Sequence, residues 1–170
     1  MLAPTDRIRY APGSLVIVLS ADAGTREAFC ARVLEDVNVL LSIARLRRLL
    51  AGRVAEEQVD DKARALLDAT AAKRLAAGQT VVIALEGFDP GERERYVRLA
   101  HSHRRPRHLV FVEVGKDNVP EGDRATVDAL RTALDTGELG QEGFVTSLRL
   151  GGRSVEELKR IVFAPPPQDD

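Results

Sequence analysis

The chain has 170 residues, of which 44% are hydrophobic and 30% are charged, and its formal net charge at pH 7 is −1. This composition is typical of one globular domain with a hydrophobic core, and it provides no overall positive field that would attract nucleic acid. The single cysteine, Cys30, excludes an internal disulfide framework, and its place inside a predicted helix favours a buried structural thiol.

The amino terminus reads MLAPTDRIRY and lacks the apolar core of a signal peptide. No apolar run approaches the roughly 20 residues that a membrane helix needs. We therefore expect a cytoplasmic protein that does not contact a membrane.

Short apolar runs alternate with longer helical patterns along the chain, which predicts an α/β fold with a parallel sheet. The predicted strands are residues 15–19, 37–41, 80–85, 108–114 and 144–150. The predicted helices are residues 25–36, 43–50, 56–77, 90–101, 120–133 and 154–162. The fourth begins with Asp89 as its N-cap and Pro90 in its first turn, and the last begins at the capping box SVEE. We expect one domain over residues 1–163, followed by a disordered proline-rich tail over residues 164–170.

Residues 14–32 read SLVIVLSADAGTREAFCAR, which is the strand, small-residue turn and helix of a phosphate-binding loop. The pattern G-x-x-x-x-G-K-[ST] would fall on residues 20–27. In that alignment serine and threonine replace the two glycines, Arg26 replaces the lysine, and Glu27 replaces the hydroxyl that binds Mg²⁺. The β-branched Thr25 is poorly suited to the positive φ that glycine supplies, and Glu27 introduces a carboxylate where a triphosphate would lie.

The start of this helix is nonetheless a candidate anion site, because helix N-termini attract negative charge. The candidate phosphate- or nucleotide-binding residues are Gly24, Thr25, Arg26 and Glu27. In the structural alternatives, Arg26 and Glu27 form a solvated ion pair, and Asp22 caps the helix with its side chain.

The chain resembles the P-loop kinases of the polynucleotide kinase type over roughly residues 11–163. Residues 12–30, PGSLVIVLSADAGTREAFC, are similar to that family's opening phrase, PGSLVVLVGPSGSGKSTFA. Residues 42–52, SIARLRRLLAG, are similar to SSDALRALLAG, in which the aspartate orients the acceptor hydroxyl; Ala44 stands in its place. The family's phrase VVDATN is VVIALE at residues 81–86.

This resemblance implies a three-layer P-loop NTPase-like fold, with a mostly parallel five-stranded sheet and helices on both faces. In the family an arginine-rich lid helix closes over ATP after the next strand, whereas here that strand runs directly into Gly115 and the triplet at 119–121, so the lid is missing. Because changes fall on the loop, the acceptor-orienting aspartate, the third strand end and the lid, we interpret the chain as a pseudo-kinase. This interpretation assigns it no catalytic residue, no metal and no cofactor.

Three functions remain open. The first is a non-catalytic protein that acts through a protein partner, as a homo-oligomer or as a subunit beside an active enzyme. The second is a module that binds a nucleotide, a phosphate or an RNA end. The third is an atypical ATP-dependent polynucleotide or nucleotide kinase, for which ATP and Mg²⁺ would be the cofactors.

Arginines surround the position of the lost aspartate. Arg45, Arg47, Arg48 and Arg53 are candidate contacts for nucleic acid or another anionic partner. The structural alternative is the polar face of an amphipathic helix, and the absence of aromatic residues beside them argues against base stacking.

Two further clusters have a functional and a structural interpretation. His101, His103 and His108 lie in HSHRRPRH and could bind a transition metal, but no acidic residue or cysteine completes the set, so a solvated basic loop is the alternative. Because this segment precedes a strand, we expect it at the edge of the sheet opposite the ligand edge.

Glu86 could gather with Glu27 and Glu113 into an acidic pocket, and ordinary surface carboxylates are the alternative.

Overall fold

Five parallel strands form the centre of the fold, and a pair of parallel strands forms a second, smaller sheet. The computed structural model describes residues 6–165. Its strands are β1 (Arg7–Tyr10), β2 (Leu15–Ser20), β3 (Leu40–Ser42), β4 (Val81–Leu85), β5 (Arg107–Val112), β6 (Thr146–Leu150) and β7 (Arg160–Phe163). Its helices are α1 (Ala23–Val33), α2 (Ile43–Leu50), α3 (Val59–Ala76), α4 (Pro90–Ser102), α5 (Arg124–Thr136), α6 (Glu138–Glu142) and α7 (Arg153–Glu157).

The central sheet has the strand order β3-β4-β2-β5-β6, and every pairing in it is parallel. All six residues of β2 are buried, as are all five of β4, because both sheet faces are covered. The predicted α/β class, with a five-stranded parallel sheet and helices on both faces, is confirmed.

Alternate residues of β2 supply two separate cores, one on each face of the sheet. Leu15, Ile17 and Leu19 pack with helices α3, α4 and α5. Val16 and Val18 pack with α1 and with the small sheet of β1 and β7. The period-2 alternation of side chains along a strand thus produces three layers from one apolar run.

The connections place a crevice at the carboxyl end of β2. The chain moves from β2 to β3 through α1 in one direction across the sheet, and every later connection runs in the other direction. Since parallel crossovers are right-handed, α1 lies on one face and helices α3 to α5 lie on the other. Ligands of open α/β sheets bind where the connections diverge in this way.

The carboxyl-terminal segment corrects one prediction. We predicted a helix over residues 154–162, but α7 ends at Glu157 and the chain continues as β7. Ser154 hydrogen-bonds to the backbone of Gly151 and does not cap the helix. The physical reason is long-range pairing, because β7 pairs residue by residue with β1 and buries Ile161 against α1.

Five other features differ from the sequence prediction. Strand β1 and helix α6 were not predicted. Residues 37–39 form a 3-10 turn capped by Asp36, so the strand predicted at 37–41 starts at Leu40. Helix α1 starts and ends earlier than predicted. Of the predicted tail, Ala164 donates to Tyr10 O at 3.2 Å and Pro165 O accepts from Arg9, while residues 166–170 lie outside the described residues.

None of the helices within residues 6–165 combines the length and the apolar character that crossing a membrane requires.

Candidate functional site

The candidate site lies at the carboxyl edge of the central sheet, where β2 turns into α1. Only Ala21 and Asp22 separate the end of β2 from the start of α1. The side chain of Asp22 accepts hydrogen bonds from the backbone N–H and the hydroxyl of Thr25, at 2.8 and 2.7 Å. The predicted local cap by Asp22 is therefore confirmed.

This cap changes what the helix N-terminus offers to a ligand. The two hydrogen bonds from Thr25 hold the pKa of the Asp22 carboxyl below its usual range, so the group is anionic near neutral pH. A negative charge already occupies donors of the first helical turn, and an incoming phosphate would have to displace it. Gly24, beside it, is exposed.

Arg26 is the fourth residue of α1 and lies at the end of its first turn. It belongs to the helix stripe that faces the sheet, together with Phe29, Cys30 and Val33, and it is only 2% exposed. Its Nη1 donates to the carbonyl oxygen of Ser20 at 3.1 Å. Its Nε and the hydroxyl of Ser20 are buried without a hydrogen-bond partner, and no carboxylate within residues 6–165 forms an ion pair with Arg26.

The acidic side chains of this edge do not form one pocket, because each has a different partner. Glu27 accepts from the hydroxyl of Ser42, the N-cap of α2, so the ion pair with Arg26 that we gave as the structural alternative does not form. Glu86 accepts from Arg47. Burial opposes ionisation of Glu113, but hydrogen bonds from two arginines, 131 and 149, outweigh it and keep the pKa of Glu113 below its ordinary value.

Three of the four arginines predicted to contact an anionic partner lie on α2, in different environments. Arg47 is part of an ion-pair network, with its Nε 2.5 Å from Asp60 and its Nη1 on Glu86. Arg45 and Arg48 are exposed and form no ion pair with any residue that the structure describes. The amphipathic-helix alternative is therefore consistent with α2, whose inward side is Ile43, Leu46 and Arg47.

The segment after β5 is short. Two 3-10 turns, Lys116–Asn118 and Glu121–Asp123, connect β5 to α5, and no lid helix lies between them. Beside them is a shallow groove of about 400 Å³. Its lining includes Val119 and Val127 together with charged residues of both signs.

The histidine segment lies at the amino edge of the sheet, opposite the candidate site, as predicted. Within residues 6–165 no three potential metal ligands gather, and His108 is buried inside β5 while His101 is exposed on α4. The expected solvated basic loop is wrong for two arginines, because Arg105 donates to the Leu75 carbonyl and Arg107 to the Gly143 carbonyl, at 3.3 and 2.8 Å.

Cys30 is 1% exposed, and burial raises the pKa of its thiol to about 12, with the nearby Glu27 adding to that shift. The predicted buried structural thiol is confirmed. Sequence reasoning missed Ser42, which links α1 to α2; its position immediately before an amphipathic helix is the N-cap signal that could have identified it.

No family model matches this chain, and no curated protein matches it. Among solved structures it is similar to one described as a "putative kinase" from Chloroflexus aurantiacus. The two chains are 16% identical, with a TM-score of 0.47, over 82% of this chain and 86% of the other.

Proposed function

We propose that this protein is a P-loop-kinase-like scaffold that does not transfer phosphate and that acts by binding a protein partner. The observation that carries the proposal is the Asp22 carboxylate, which places a negative charge at the helix N-terminus and accepts from the N–H and the hydroxyl of Thr25, where a nucleotide phosphate would bind. The buried, lone cysteine supports a cytoplasmic location for this role.

The physical argument rests on what a triphosphate requires. It needs free backbone N–H groups, a cation that reaches its oxygens and an oxygen ligand for Mg²⁺. At this edge Thr25 donates to Asp22, Arg26 is buried against the sheet, and Glu27 accepts from Ser42. Each of these three groups therefore already has a partner within the protein.

The buried guanidinium of Arg26 favours a second candidate function, the binding of a small anion without chemistry. A buried charge without a carboxylate partner is unfavourable by several kcal/mol unless another group compensates it. Inorganic phosphate would pair with the free Nε of Arg26 and with the Ser20 hydroxyl if the Asp22 cap opened.

Thermal unfolding with Mg-ATP and with inorganic phosphate tests both candidates. A ligand at one hundred times its Kd raises the free energy of unfolding by about 2.7 kcal/mol, which is several degrees for a domain of this size. We expect no change with Mg-ATP. A saturable Mg-ATP stabilisation, followed by phosphate transfer to the 5′-hydroxyl end of a nucleic acid, would contradict the scaffold and establish an atypical kinase.

The phosphate arm uses Arg26→Met, with Arg153→Met as the matched control because Arg153 is exposed on α7 and belongs to neither candidate site. Stabilisation by phosphate that is lost in Arg26→Met and kept in Arg153→Met would support the second candidate. No stabilisation in any of the three proteins would remove it.

A further inference from the structure

The corner between α2 and α3 presents an exposed surface that the candidate site does not use. Arg45, Arg48 and Leu49 are spaced three and four residues apart, so they share the outward face of α2. Both arginines are exposed, and Leu49 is 60% exposed although it is a large apolar side chain. We call this face, together with the groove described next, the corner surface.

A groove of about 710 Å³ lies beside this face, between the end of α2 and the start of α3. Ala51, Val54 and Val59 are its apolar lining residues. Arg48 also lines it, as do the acidic side chains of Glu56 and Asp60. The corner surface therefore combines the exposed side chain of Leu49, the apolar lining of the groove and charges of both signs.

The charges of the corner surface are available to a partner. Within residues 6–165, Arg45, Arg48 and Glu56 form no ion pair, although opposite charges lie close by in the chain. Arg47 and Asp60, by contrast, pair with each other. Leu49 and the apolar lining of the groove supply surface that a partner could bury, and Arg48 and Glu56 supply one unpaired charge of each sign beside it.

We propose that the corner surface binds the corner surface of a second copy of this chain, as a two-fold symmetric homodimer. In such a contact Leu49 of each copy enters the groove of the other, and Arg48 of each copy faces Glu56 of the other. A two-fold axis makes every contact twice and therefore requires a self-complementary patch. The corner surface carries both Leu49 and the groove that would receive it, and both Arg48 and Glu56. This inference rests on the proposed scaffold function and names its partner and surface.

The same charges argue against nucleic acid as the occupant. A polyanion is held by a cluster of cations, whereas the corner surface mixes its arginines with Glu56 and Asp60. It also contains no aromatic side chain on which a base could stack.

Sedimentation equilibrium of the full chain, from about 1 µM to about 300 µM, tests the dimer. We expect a monomer–dimer equilibrium that weakens as salt is added, because the charge pairs are screened. Arg48→Glu and Glu56→Arg should each raise the dimer Kd at least about tenfold, because each places like charges face to face in both symmetric contacts. Arg153→Glu, an equal charge change at an exposed position on α7, should leave the Kd unchanged.

Mixing the two variants is the decisive measurement. In the mixed dimer both charge contacts again join opposite charges, so Arg48→Glu and Glu56→Arg together should dimerise although neither does alone. Circular dichroism of each variant checks that it is folded, which we expect because both positions are exposed.

Three results would overturn the proposal. The first is a chain that stays monomeric throughout the concentration range, and the second is a dimer that survives both single variants. The third is binding of a fluorescent single-stranded oligonucleotide that is lost in Arg48→Glu, which would identify a nucleic-acid surface instead. The test with Mg-ATP is independent of the dimer test. A monomer whose unfolding Mg-ATP does not change would contradict the dimer and leave the scaffold proposal standing. A dimer that Mg-ATP stabilises would contradict the scaffold and leave the dimer standing.

Discussion

His108 stacks on Tyr10 at the amino edge of the sheet, with ring centroids 4.1 Å apart, and its Nδ1 lies 2.7 Å from the hydroxyl of Thr146. The histidine is 6% exposed. Burial, together with the positive charge of the neighbouring Arg107, lowers the pKa of His108 to about 4. The imidazole is therefore neutral in the folded protein at pH values where an unfolded chain would carry the proton.

The pH dependence of stability follows from this difference. Between about pH 6.5 and pH 4 only the unfolded chain binds the proton, so the free energy of unfolding falls as the pH falls, by about 2 kcal/mol between pH 7 and pH 5 from this group. Urea unfolding at both pH values measures it. The drop should be about 2 kcal/mol smaller in His108→Gln, while His101→Gln, which is exposed, should keep the full drop.

At the scale of elements, one buried arginine joins two helices that the sequence did not pair. Arg93 of α4 is 3% exposed and donates from Nη1 to the Phe88 carbonyl at 2.8 Å. Its Nε and Nη2 donate to Glu142 Oε1 of α6 at 3.2 and 3.1 Å. Helix α6 has five residues, too few to be stable alone, so this pair and the buried Leu139 hold it against the sheet.

Replacing Arg93 with methionine should destabilise the protein by about 3 kcal/mol, because Glu142 and the Phe88 carbonyl lose their donors. Chemical denaturation measures the loss. The control is Arg98→Met, which removes an ion pair with Glu94 on the exposed face of α4 and should change stability by less than about 0.5 kcal/mol. Equal effects of the two substitutions would contradict a special role for the buried pair.

At the scale of the whole molecule, the small sheet brings the two ends of the described chain together over α1. Strand β1 pairs with β7 in parallel, and Leu158 and Ile161 are buried against α1. Arg32 of α1 donates to the carbonyl oxygens of Val155 and Leu158 and so ties the last segment to the helix. This sheet covers the face of the central sheet on which α1 is the only long helix described.

Truncating Ile161 to alanine should therefore cost about 2–4 kcal/mol, because the residue is 2% exposed and leaves a cavity in the second core. Val162→Ala, on the half-buried side of the same strand, is the control and should cost less than about 1.5 kcal/mol. Urea unfolding separates the two. A loss below about 0.5 kcal/mol for Ile161→Ala would mean that the small sheet does not stabilise the main fold.

Much of the architecture follows from local sequence. The apolar runs of β2 and β4 predict strands buried on both faces, and that is sufficient for a parallel sheet covered by helices. The Asp22 cap is equally local, since it joins residues three apart in the chain. The burial of Cys30 was predicted from its place in a helix, although its packing partners come from distant strands. These features were predictable because the sequence signal for each lies within a few residues, even where the contacts themselves are distant.

Only the tertiary structure decided the remaining features, because their contacts join distant segments. Residues 160–163 pair as a strand with β1, about 150 residues away, and no local pattern identifies that partner. Arg26 is buried because α1 starts three residues before it, which turns its side chain to the sheet. Glu27 hydrogen-bonds to Ser42 and not to its neighbour Arg26, because the packing of α1 determines which side chains come into contact.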